Sequence, residues 1–398
     1  MKRFLLLILC LMVLAACSKD NEEANENPNE EVAEEQMEEE QEEEQEEEEQ
    51  EEAVENGSDD GTIRNLSAMA LVAEMGTGWN LGNSLDVEDR DKTFWGNPLP
   101  TEAMIDAIAA RGFKTIRIPV TWSYHMGPAP DYTIESTYLD TVQQVVDWAR
   151  ENGMYVILNT HHEDPWIIPT YAQASEVSDR LAKVWTQIAT RFQNYSDFLI
   201  FETLNEPRHE GSPEEWTGGT AEGRDVVNQY HQVSVDAIRA TGGNNIARHL
   251  MIAPYAASTV TEAMDDLIIP NNDERTIVSI HTYFPFSFTL GGTDSTWGTE
   301  TDKAELDAEL DRVVAKFIAN GQAVVLGEWS SGNQNNTEDR LEHATYYANA
   351  AAERGLVPVW WDMGDFTDYG TGGSALFNRR QLSWPFGNIA DVIIGATN

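Results

Sequence analysis

Between residues 77 and 361 the chain alternates short apolar runs with longer amphipathic stretches. Runs of strand length occur at Thr77–Leu81, Thr115–Val120, Tyr155–Asn159, Phe198–Thr203, Leu250–Ala253, Ile277–Ile280, Ala323–Leu326 and Val357–Trp361. Several are apolar without a break (VIL, FLIF, VVL), as parallel strands buried on both faces require. The intervening segments carry helical spacing. Met104, Ile105 and Ile108 lie within Pro100–Arg111, and Val142, Val145, Val146 and Ala149 within Leu139–Glu151. Further helices are predicted at Ser178–Phe192, Arg224–Ala240, Val260–Leu267, Lys303–Ala319 and Thr337–Arg354, with Ile389–Ile394 closing the series. Glycines at 112, 153, 242, 321 and 355 stand where left-handed helix caps belong. Eight such units predict an α/β fold, a (β/α)8 TIM barrel. An open doubly wound sheet would need a different strand count and a Gly-rich phosphate turn, and the sequence contains no such turn.

The ends of the chain change this picture. Residues 1–16, MKRFLLLILCLMVLAA, place two basic residues before an apolar run shorter than the roughly 20 residues of a membrane span. The run ends in Leu14-Ala15-Ala16-Cys17, which resembles a lipobox and makes Cys17 the candidate lipidation site. The alternative is an ordinary signal peptide beside a chance cysteine. Residues 20–60 hold 23 acidic side chains and no Lys or Arg. With no face to bury, residues 17–60 are expected to form a disordered acidic linker, acting as a spacer or a solubilising tail. The folded domain is then 61–398. It carries 46 acidic and 22 basic residues, a balance that does not favour nucleic acid. Both cysteines, Cys10 and Cys17, lie in the leader, which leaves no disulfide, thiolate metal site or cysteine nucleophile in the domain.

Barrel enzymes work at the C-terminal ends of their strands. Here those ends carry Arg117, Asn159-Thr160-His161-His162-Glu163, Asn205-Glu206-Pro207, His281-Thr282-Tyr283, Gly327-Glu328-Trp329 and Trp360-Trp361-Asp362. Paired carboxylates suit acetal hydrolysis, one protonating the leaving oxygen and the other attacking or activating water. The separation that decides between retention and inversion is not readable from sequence. His161-His162-Glu163 lacks the helical H-E-x-x-H spacing of a zinc protease.

In order along the chain, GWNLGNSLD (78–86), WGNP (95–98), TIRIPVTW (115–122), ILNTHHE (157–163), TLNEP (203–207), HTYFPF (281–286), LGEW (326–329) and WWD (360–362) resemble the motifs of glycoside hydrolase family 5, especially its endoglucanases. The resemblance implies a retaining endo-β-1,4-glucanase with Glu206 as acid/base and Glu328 as nucleophile. It places Arg117, His161, Asn205, His281 and Tyr283 around them, Trp361 beneath the reacting sugar and Asn83 at a neighbouring one. His162, Trp95 and Trp122 are further substrate-binding candidates, and Trp166, Trp297 and Trp329 weaker ones, whereas Trp79 and Trp148 read as core. The acid role calls for a raised pKa on Glu206. No cofactor or metal is expected. The expected partners are β-glucan and, through the lipid anchor only, a bacterial membrane, and the protein is expected to be a monomer. Xyloglucan, mixed-linkage glucan and mannan are alternative substrates, and a non-catalytic surface glycan-binding lipoprotein is the alternative of another class.

Overall fold

The computed structural model describes residues 59–364 and 373–397. Cys17, the leader and nearly all of the acidic segment lie outside the described residues. Parallel strands β1 (Gly78–Leu81), β2 (Thr115–Ile118), β3 (Tyr155–Asn159), β4 (Leu199–Glu202), β5 (Leu250–Ile252), β6 (Thr276–His281), β7 (Val324–Trp329) and β8 (Val357–Asp362) close in chain order into a barrel. Helices α1 (Ala68–Met75), α2 (Glu102–Arg111), α3 (Ser136–Glu151), α4 (Ala174–Arg191), α5 (Ala221–Ala240), α6 (Thr261–Asp265), α7 (Glu300–Lys316), α8 (Thr337–Glu353) and α9 (Gly387–Gly395) accompany them. The glycines at 112, 153, 242, 321 and 355 all have positive φ, the conformation that lacks a Cβ penalty only in glycine.

The sequence pattern did not pick out α1. Ser67 caps it by accepting from the Ala70 N–H, and Ala68, Leu71, Val72 and Met75 are buried along one side. That side packs with Ile157, Ile200, Met251, Ile277, Val325 and Val359, the inward residues at the N-terminal end of the barrel. The strand period of two then brings a different set inward one step higher: Asn80, Arg117, Asn159, Glu202, Ser279 and Trp361. One end of the barrel is therefore sealed by apolar burial, and polar side chains occupy the other. The alternate residues, such as Ile116, Leu158, Phe201 and Trp360, face outward and join the main core under the helices.

Docked chain begins before residue 61. Asp59 accepts from the Arg150 Nε at 2.9 Å and from the Ser196 N–H and hydroxyl.

Candidate active site

Arg117 enters from β2 and is completely buried. Its Nε donates to Glu202 at 2.7 Å, Nη1 to Asn80 at 3.0 Å and to Glu328 at 2.7 Å, and Nη2 to Asn205 at 2.7 Å. Burial opposes its charge, but Glu202 and Glu328 outweigh burial and hold the guanidinium protonated. Glu202 itself also accepts from Asn159 at 2.9 Å and Ser279 at 2.7 Å.

Strand irregularities aim the groups above this floor. The β6–β7 pairing shifts between Ile280 and His281, so that His281 opposes Glu328, and the β7–β8 pairing shifts between Leu326 and Trp329. Tyr283 donates to Glu328 at 2.8 Å. Burial, reinforced by the charge of Glu328, raises the Tyr283 pKa well above its ordinary value and keeps it a phenol donor. His281 Nδ1 lies 2.8 Å from Glu206 and 3.7 Å from Glu328. One oxygen each of Glu206 and Glu328, together with a His281 nitrogen, lie within 4.8 Å of one another. Gly327 leaves room for this arrangement, since a Cβ there would meet Ser279 Oγ at 2.6 Å and His281 Nε2 at 3.0 Å.

The protonation of this trio differs from the sequence-based expectation for Glu206. Burial raises its pKa, but the hydrogen bond and charge of His281, aided by Arg208, overcome burial and lower it. Burial likewise lowers His281, and the charges of Glu328 and Glu206 outweigh that and raise it. Both shifts favour a carboxylate on Glu206 facing a protonated His281 across the 2.8 Å contact.

His161, at the end of β3, is held by Asn159 at 3.1 Å and points Nε2 toward Glu328 at 3.9 Å. Burial first, then the nearby cations, drives its pKa well below normal, so the ring is neutral. Trp361 lies parallel to it with ring centroids 5.5 Å apart. Gly82 permits this placement, because a Cβ there would meet the Trp361 ring at 2.8 Å. His162 stands edge-on to His161 at 4.4 Å and to Trp95 at 5.5 Å. Asn83 has a φ of 54° and donates its N–H to Asp86 at 2.9 Å.

Not all of the aromatic candidates join this group. Trp122 is fully buried, its Nε1 donating to the Asn159 carbonyl at 3.0 Å and its ring edge-on to Tyr138, so it supports β3 and offers no face to a ligand. Trp329 is also buried, stacked on Tyr347 with centroids 4.1 Å apart. Trp297 packs on His343, and Trp166 lies under Arg180. Glu163 accepts from the Trp122 N–H at 2.6 Å, the Ser123 hydroxyl and Trp166 Nε1, which makes it an anchor for its loop.

Among the described residues, two groups bring three ligand-type side chains close: Asp86-His161-His162 and Glu206-His281-Glu328. Asp86 already accepts two backbone N–H groups, from Asn83 and Ser84. Glu328 is likewise committed to Arg117 and Tyr283.

The motifs gave no role to Glu202, Asn80, Asn159 or Ser279. The signal for Glu202 is a charge inside an apolar run, at the last position of β4.

A family model described as Cellulase (glycosyl hydrolase family 5) matches residues 68–367. Endoglucanase B of Clostridium cellulovorans is 49% identical over 81% of this chain and 74% of its own length. The structure of ZgEngAGH5_4 in complex with a cellotriose superposes with a TM-score of 0.82 at 56% identity, covering 84% of this chain and 99% of that one. A GH5-4 broad specificity endoglucanase from Clostridium acetobutylicum gives a TM-score of 0.81 at 49% identity, over 83% of this chain and 100% of its own.

Proposed function

The chain belongs to glycosyl hydrolase family 5 and is an endo-β-1,4-glucanase, and from this premise we propose that it cleaves β-1,4-glucan by double displacement with retention of configuration. The observation that carries the reading is the approach of the Glu206 and Glu328 carboxylates to within 4.8 Å. Retaining enzymes hold their carboxyl groups about 5–5.5 Å apart, whereas inverting enzymes need roughly 6.5–9.5 Å to seat a water between them.

In the first step Glu328 attacks the anomeric carbon and the bond to the leaving sugar breaks. The proton held between Glu206 and His281 passes through Glu206 to the leaving oxygen. The product of this step is a glycosyl ester on Glu328. In the second step Glu206, now a base, takes a proton from water as the water attacks the same carbon. The ester bond breaks and Glu328 is regenerated as a carboxylate. Arg117 and Tyr283 orient Glu328 and favour its charged form before attack. Asn205, tied to Arg117, binds the 2-hydroxyl of the reacting sugar, and neutral His161 and the Trp361 face hold the same ring. Asn83, His162 and Trp95 extend the binding surface. A similar solved structure contains cellotriose and another is described as a broad specificity endoglucanase, which supports glucan binding and more than one accepted substrate.

Release of reducing sugar from carboxymethylcellulose, xyloglucan, mixed-linkage glucan and mannan tests the substrate class. The wild type is expected to cleave the β-1,4-glucans, and Glu328→Gln to lose at least about 10⁴-fold in kcat while remaining folded. Near-normal turnover by that variant would refute the assignment of Glu328.

We also infer that the enzyme is exported as a monomer and tethered to a bacterial membrane by lipid on Cys17, with the acidic segment as spacer. Incorporation of labelled fatty acid into the wild type and not into Cys17→Ala is the expected result. An unlabelled wild-type protein would remove the anchor from the account.

A further inference from the structure

No step of the reaction involves Arg340, a buried cation. It projects from the first turn of α8 and is completely buried. Among the described residues, its Nε, Nη1 and Nη2 have no hydrogen-bond partner. Two other arginines, buried as deeply, are fully engaged. Arg117 donates to Glu202, Asn80, Glu328 and Asn205. Arg248 donates to Asn245 and to the carbonyls of Phe192, Tyr195, Ser196 and Leu199.

The Arg340 guanidinium carbon lies 4.7 Å from the centroid of the Phe386 ring, which covers one face of the group. A ring over the face satisfies none of the N–H groups, because these point outward in the guanidinium plane. Asp362 is the acid whose charge acts on Arg340, and it is already committed. It accepts from the N–H groups of Gly364 at 2.8 Å, Leu376 at 2.7 Å and Phe377 at 3.2 Å, and from Arg379 at 3.3 Å. Burial pushes the Arg340 pKa down to about 10 against the opposing pull of Asp362, which leaves the side chain charged at neutral pH. The connection from β7 to α8 holds two more donors in the same condition. Ser330 and Ser331 are fully buried at its start, and their hydroxyls have no partner among the described residues.

We propose that Arg340 is the cationic ligand of an internal site for a small monovalent anion, chloride. Donors without acceptors call for a ligand that only accepts, and a positive charge without a free counter-charge calls for a negative one. Complete burial restricts the size and charge of that ligand. A divalent sulfate or phosphate would lose far more hydration than one guanidinium returns, whereas a halide is compact, singly charged and accepts from any direction. The anion supplies the counter-charge that Asp362 does not. It also braces α8, whose Tyr347 stacks on Trp329 next to the position of Glu328. The site is tested without turnover, so the result stands apart from the proposed mechanism.

Thermal unfolding of the full-length protein is followed in sodium chloride and in sodium gluconate at equal ionic strength. Both salts screen the acidic surface alike, and gluconate is too large to enter a buried site, so a specific gain in chloride reports the site. The wild type is expected to melt about 3–5 °C higher in saturating chloride, with the difference levelling off as the site fills. Arg340→Met keeps most of the length of the side chain and removes its charge. It is expected to melt no higher in chloride than in gluconate. A wild type that gains nothing from chloride, or a gain that survives in Arg340→Met, would overturn the site. Crystals of the wild type soaked in sodium bromide give a reading that does not require the variant to fold. The anomalous signal of bromide is expected within hydrogen-bonding distance of the Arg340 nitrogens, and the lack of a peak there would overturn the proposal.

Discussion

Arg117 donates to oxygens of Glu202, Asn80, Glu328 and Asn205, and both it and Glu202 are wholly buried. Removing the charge of Glu202 would leave Arg117 short of a counter-charge where water does not reach. Breaking such a pair costs about 3–5 kcal/mol. Glu202→Gln is therefore expected to unfold at lower urea by that amount, and to lose kcat as Arg117 swings away from Glu328. An unchanged urea midpoint would show that the pair contributes nothing. The shared proton has its own consequence. His281 is raised above the ordinary 6.5, so the Glu206–His281 pair keeps its proton past that pH and loses it as pH rises further. The kcat/KM profile on glucan should fall on a basic limb above pH 6.5, and a limb below that value would contradict the geometry. Most of these residues were legible at the strand ends. Glu202 was not, because the eye passes from FLIF to NEP. Trp329 is turned away from the site by the strand period of two: Glu328 points into the barrel, so Trp329 points out to the helices.

The elements show where pattern is informative and where it is silent. The apolar runs located every strand, yet three ran short, the one at 357–361 by the single residue Asp362. The runs at 277–280 and 323–326 continue through His281 and Trp329, because polar residues at the strand ends still pair. Their irregular register, not visible in composition, turns His281 and Glu328 toward each other. Gly327 lies at this point. Gly327→Ala should push Ser279 and His281 by tenths of an ångström, lowering kcat while leaving the far-ultraviolet circular dichroism unchanged, and full activity in that variant would mean the space is not needed. Helix starts were anticipated late: α3 begins at Ser136 and not Leu139, and α4 at Ala174 and not Ser178, since the few buried residues of their first turns, Tyr138 in α3 and Ala174 and Val177 in α4, make only a short apolar signal. Helix α1 did carry one, in the buried set Ala68, Leu71, Val72 and Met75 at helical spacing, but a helix of 8 residues outside the β-α alternation was easily passed over.

At the scale of the whole molecule, the barrel divides its interior into an apolar layer closed by α1 and a polar layer that carries the chemistry. This division explains why fold and candidate site were legible together: the runs that specify strands end where the candidate residues begin. The distance across the barrel was the missing quantity, because Glu206 lies in the loop after β4 and Glu328 on β7, and their approach depends on closure, tilt and register at once. That distance also decides the course of the reaction. The most direct test is proton nuclear magnetic resonance of cellotetraose hydrolysis, followed from the first seconds before mutarotation. The account predicts that the new reducing end appears as the β-anomer and only later equilibrates. First appearance of the α-anomer would mean a single displacement by water, and would contradict the attack of Glu328 on the sugar.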